Sequence, residues 1–134
     1  MPLVSNTKNG FISTGLYPFI IGITGCFISD DGNNIVKIKS KDNARLSLLV
    51  SIVGNKSACS LMYIYRDQAS IRYKNLAGFT AYDIKYKLED DHFNIYIGNI
   101  QNWGKATVIP FTLDIVSIEA ISEYDADLTD AVQG

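Results

Sequence analysis

Apolar and polar residues alternate along most of this chain, so side chains at successive positions would project to opposite sides of an extended backbone. In "YDIKYKLE", Tyr82, Ile84, Tyr86 and Leu88 fall on one side and Asp83, Lys85, Lys87 and Glu89 on the other. In "ARLSLLVSIV", Ala44, Leu46, Leu48, Val50 and Ile52 share a side opposite Arg45, Ser47 and Ser51. "HFNIYIGN" sets Phe93, Ile95 and Ile97 against His92, Asn94, Tyr96 and Gly98. The pattern predicts about eight strands, near 17–28, 35–40, 44–53, 58–66, 69–74, 82–89, 92–99 and 106–121. A helical apolar period never persists for three turns.

Turn-forming residues separate these runs. Asp31-Gly32 suits the positive φ angles of a tight hairpin, Gly54 and Asn55 repeat the signal, and "EDDH" is a short acidic turn. Short strands with one apolar face each, joined by short turns, predict an all-β fold, an antiparallel β-sandwich of jelly-roll-like arrangement. The expected organisation is a leader or joint over residues 1–15, a sandwich over 16–122 and an acidic, loose tail over 123–134.

Two of the expected strands, 17–28 and 106–121, are long and partly apolar on both sides. Phe19, Ile21, Ile23 and Phe27 oppose Ile20, Cys26 and Ile28, while Ile109, Phe111, Leu113 and Ile115 oppose Val108, Val116 and Ile118. A sandwich strand buries one face. The surplus points to a subunit interface through Phe19, Ile21, Ile109, Phe111 and Leu113, or to loops laid over interior strands.

Composition narrows the function more than it identifies it. With 134 residues, 47% of them hydrophobic and 19% charged, the chain has enough apolar content for one core. A net charge of −2, with basic residues dispersed, argues against nucleic acid as a partner. Lys37, Lys39 and Lys41 read as one solvated strand face. The stretch Leu16 to Ile28 is too short for a membrane-spanning helix and is interrupted by Pro18, Gly22 and Gly25, so neither membrane insertion nor a cleaved leader is expected. Cys26 and Cys59 read as free thiols in apolar strands.

The residues of known chemistries are missing or isolated, so no catalytic residue, metal site or cofactor is expected. A single histidine, His92, cannot assemble a zinc site and reads as a turn residue. "DDGNN" lacks the further acids of a calcium loop, and the acids of "EDD" at 89–91 point into water rather than across a cleft. Nucleophile elbows, phosphate loops and dinucleotide fingerprints do not occur. The eight tyrosines and one tryptophan are the more informative set. Trp103 in a polar turn, with Tyr63, Tyr65 and Arg66 in "YIYR", forms the candidate ligand-binding group, since flat aromatics beside polar groups suit sugars and proteins.

The leader "NTKNGFIS" resembles the T-x-x-N-G-[LF]-[IM]-S segments of bacteriophage tail-fibre proteins, through Thr7, Asn9, Gly10, Phe11, Ile12 and Ser13. The resemblance covers that leader and, in strand pattern only, the rest of the chain. It departs from the commoner family form, in which a Lys-rich acidic helical stretch follows the serine; here "TGLYPF" leads straight into a strand. It implies a virion component assembled in the host cytoplasm, a homotrimeric fibre or spike head binding a host surface glycan or protein without cleaving it, alongside other virion proteins. A capsid-decoration or head-fibre subunit and a cellular carbohydrate-binding module are the alternatives.

Overall fold

The computed structural model describes residues 24–28, 32–54, 59–78, 82–101, 103–112 and 115–134. Eleven strands make up the described fold, which contains no helix among these residues: β1 (Thr24–Phe27), β2 (Ile35–Lys41), β3 (Ser47–Val53), β4 (Cys59–Asp67), β5 (Ser70–Gly78), β6 (Asp83–Glu89), β7 (His92–Gly98), β8 (Lys105–Pro110), β9 (Ile115–Ile121), β10 (Thr129–Asp130) and β11 (Val132–Gln133). They form a six-stranded sheet in the order β1-β8-β3-β4-β5-β11 and a five-stranded sheet in the order β10-β6-β7-β2-β9. The two sheets pack face to face as the β-sandwich that the alternation predicts.

The inward residues are those of the expected apolar phase. Leu48, Val50, Ile52 and Ile64 from one sheet meet Ile38, Phe93, Ile95 and Ile97 from the other, all fully buried. Each such side chain contributes about 1.5–3 kcal/mol by leaving water. β2 adds Val36 and Ile38, and then Ser40, buried where its pairing with β9 shifts register. The hairpins β4–β5 and β6–β7 turn on two residues each, with Gln68 and Asp90 taking φ of 56° and 57°.

The strand pairing is partly that of a rolled hairpin, β1 against β8 and β2 against β7. A complete jelly roll would continue inward by pairing the third strand with the sixth. Instead β3, β4 and β5 stay in one sheet as a meander. This placement also corrects the hairpin expected at Asp31-Gly32. β1 and β2 belong to different sheets, so Gly32, at φ 91°, sits in a crossover.

Two further expectations change. The long strand over 106–121 is two strands, β8 and β9, in different sheets. Val108 faces the core from one sheet, and Ile115 and Ile118 pack against it from the other. Much of the apparent double-sided apolarity is therefore two inward faces read as one strand.

The loose acidic tail is also corrected. Residues 122–128 lead from β9, at one border of the five-stranded sheet, to β10 at the other, with Tyr124 and Asp125 lying on the outer side of β7. The chain then crosses between sheets: Ala131 N–H donates to Ile84 O (2.9 Å) and Gly134 N–H to Tyr73 O (2.8 Å). Its scarcity of apolar residues is what a surface strap requires, and backbone pairing holds it in place.

Candidate functional site

Alternation places one set of side chains from the six-stranded sheet outside, and register arranges them in transverse rows. Ile109, Leu49, Tyr63 and Lys74 are successive cross-strand partners. The next row carries Ser47, Tyr65 and Arg72, and Phe111 N–H donates to Ser47 O at 3.0 Å. Tyr63 and Tyr65, two apart on β4, stack at 5.3 Å between ring centroids, and Phe111 lies 6.4 Å from Tyr63. Phe111 is 54% exposed. The result is an aromatic corner open to solvent.

A second apolar corner sits at the other end of the same face. Phe27 pairs with Lys105, which pairs with Val53. Phe27 meets Trp103 edge to face at 6.4 Å. Both rings and Val53 are more than half exposed. Trp103 adopts φ 65°, and its N–H donates to Ile28 O, tying Trp103 to the end of β1. Thr107 and Ser51 form a polar row between the corners. Ile109 and Lys105 are four residues apart on β8, which separates the corners by roughly 13 Å.

The four residues expected to bind a ligand thus divide three ways. Tyr63 and Tyr65 come together, and Trp103 lies at the opposite corner. Arg66 is turned away from both by strand alternation. Its guanidinium forms an ion pair with Asp42 and lies 4.9 Å over the Phe93 ring, so it anchors the end of the sandwich. Of the expected interface residues, Ile109 and Phe111 join the aromatic corner, whereas Phe19, Ile21 and Leu113 lie outside the described residues. Phe27, Leu49 and Val53 complete the face. Leu49 and Val53 could have been found by following the odd-numbered positions of β3 as closely as the even ones.

A depression of about 180 Å³ interrupts the face beside Ser51, Val53, Cys59, Leu61 and Gly78. Gly78 lies at φ 105°, and a Cβ there would come within 2.3 Å of Cys59 O, so glycine allows the close approach of β5 to β4. At that volume the hollow is smaller than a typical small-molecule pocket of about 300–1,000 Å³. The face around it suits contact with an extended surface.

The outer side of the five-stranded sheet differs. Asn94, Tyr96 and Gly98 on β7 are buried although they point away from the core. Tyr96 Oη–H donates to Asp125 at 2.5 Å, and Tyr124 Oη–H to Asp83 at 3.4 Å. Lys85 Nζ lies 2.5 Å from Asp130. Burial, with the Asp125 carboxylate second, pushes the Tyr96 phenol well above its ordinary range. The Asp130 hydrogen bond raises Lys85. His92 sits at the hairpin end, 2.7 Å from Asp91. Cys26 and Cys59 are free thiols, and burial, then the charge of Glu119, raises the Cys26 thiol. Among the described residues no group of three or more His, Cys, Asp or Glu side chains is placed to hold a metal. No helix there is long and apolar enough to cross a membrane.

No family model, curated protein or solved structure matches this chain.

Proposed function

We propose that this chain is a non-catalytic attachment module of a bacteriophage particle. It is a tail-fibre or spike head domain that meets a host surface glycan or protein through the open face of its six-stranded sheet and works as a homotrimer. The observation that carries the reading is the corner made by Tyr63 and Tyr65, stacked and half-open on β4, with the exposed Phe111 beside Tyr63 just beyond β8. Rigid aromatics fixed on a sheet give large contact area at small entropy cost. The phage assignment is supported by the leader's resemblance through Thr7 and Asn9 to Ser13, residues outside the described fold. Linked heads multiply a weak contact through effective concentration.

The purified chain is expected to bind host cells and to compete with particle adsorption. Tyr63→Ala with Tyr65→Ala should weaken that binding at least about tenfold. Arg66→Ala, on the inner side, should lower stability and leave the binding of the folded protein unchanged. A competing reading gives the face to neighbouring subunits, favoured by the aliphatic Leu49, Val53, Leu61 and Ile109 around the aromatics. Conversion of a trimer to a monomer by the tyrosine pair, seen by solution mass, would select it. Binding to particles rather than cells would select a capsid-decoration role.

A further inference from the structure

We propose that residues 122–134 are an exchangeable arm, able to close the sandwich of a second copy of this chain as it closes its own. The arm's contacts described above all go to strands far from it in sequence. Thr129 and Asp130 pair with Tyr86 and Lys85, and Val132 and Gln133 pair with Arg72 and Tyr73. Tyr124 covers Gly98 and the edge of Tyr96, and Asp125 accepts from Tyr96. β9 supplies the point of attachment, at exposed Ser122 and Glu123. An identical site on a neighbour therefore offers the arm the same bonds, and exchange costs mainly the freedom of association.

Charge favours the arm as the occupant of this face. The arm holds Glu123, Asp125, Asp127 and Asp130 and no lysine or arginine. The sheet face beneath it presents Lys37, Lys39 and Lys41 from β2 and Lys85 and Lys87 from β6, offset by Asp83, Glu89 and Glu119. Lys85 already bonds Asp130, and Lys37 lies 5.8 Å over the Tyr96 ring. The arm is mostly exposed, with Tyr124, Leu128 and Ala131 half-buried, while Tyr96 beneath it is fully buried. A lightly held cover over a site that needs covering favours replacement by an equivalent segment.

The scale follows from tethering. A segment on a short flexible link has an effective concentration of about 1 mM, so interchain closure should rival intrachain closure at that chain concentration and fall to about 1% at about 10 µM. Copies held side by side in an assembly reach the higher regime. The arm's last residues join the six-stranded sheet beside β5, and Gly134 lies against the Tyr65 hydroxyl, so exchange also reaches one side of the proposed binding corner.

Lys85→Cys with Asp130→Cys tests the proposal in the full chain carrying Cys26→Ala and Cys59→Ser. Positions 85 and 130 are directly opposed partners in an antiparallel pair, a separation a disulfide can bridge. After equilibration and oxidation, interchain dimer on a non-reducing gel should rise from about 1% near 10 µM to about half near 1 mM. Intrachain bonds alone at both concentrations would overturn exchange. So would loss of the intrachain bond on adding polyglutamate without an interchain product, which would give the lysine face to an acidic partner. If the variant does not fold, mixed isotope-labelled and unlabelled native chains at about 1 mM decide the matter: filtered NMR contacts between Tyr124 of one copy and Tyr96 of another are expected, and their absence refutes the arm.

Discussion

Tyr63 and Tyr96 occupy equivalent places with opposite fates. Each lies on the outer side of an interior strand, β4 in one sheet and β7 in the other. Tyr63 remains partly open beside Tyr65 and Phe111, whereas Tyr96 has no exposure at all. Among the described residues the difference is made by 122–128, which lie over β7, whereas the outer side of β4 meets the arm through Gly134, at the Tyr65 hydroxyl. An outward aromatic is thus no sign of binding by itself. It becomes one where the described residues leave the ring itself open, as at Tyr63.

The sharpest way to break this comparison is to truncate both rings. Tyr96→Ala should cost about 3–5 kcal/mol, the range for removing a fully packed aromatic. Tyr63→Ala should cost no more than about 1 kcal/mol, as expected for a surface position. Urea unfolding of the two variants, with the midpoint read at unchanged slope, measures both. Equal losses would mean that Tyr63 is as enclosed as Tyr96 and that the open face is illusory.

The second test removes the cover without touching the covered ring. Gly98 lies beneath Tyr124, and a Cβ there would fall 1.7 Å from the Tyr124 hydroxyl. Gly98→Ala must push the Tyr124 ring off β7, which should loosen the strap that carries it, at up to about 1–3 kcal/mol for overpacking of this kind. Hydrogen exchange should then accelerate at the Ala131 and Gly134 amides, which bond Ile84 and Tyr73. The Ile95 amide in the core should keep its protection. Uniform acceleration would show that the strap and sandwich open together.

Alternation located the centre of the core because burial on one face is a local property with period two, although Ala44 and Leu88, on the same apolar faces, are exposed. It correctly set Leu48, Val50 and Ile52 inside, and it put Tyr63 and Tyr65 on one face. It could not see that 106–121 breaks between sheets, because the residues flanking 111–114 are apolar on both sides of the break. Nor could it show that Arg66, next to Tyr65 in sequence, turns inward to Asp42 and Phe93, since that pairing joins distant segments. The strap was hidden for a related reason: only a few of its residues are apolar, and its order comes from backbone bonds to β5 and β6. Such bonds leave no periodic trace in sequence.

The smallest expected effect is alkaline loosening of the strap. Burial, followed by the negative charge of Asp83 and the hydrogen bond to it, pushes the Tyr124 phenol from 10.0 up to about 12, with Lys85 opposing. The folded state therefore favours the neutral phenol. Its contribution is complete below pH 10 and is lost as pH rises through about 12. Partial solvent access keeps the effect modest. Protection of the Ala131 amide should fall across that window ahead of core amides, and Tyr124→Phe, which has no phenolic proton to lose, should flatten the pH dependence of strap release. An unchanged dependence in the phenylalanine variant would assign the loosening to the other groups that lose a proton under the strap, the Tyr96 phenol or the Lys85 ammonium bonded to Asp130.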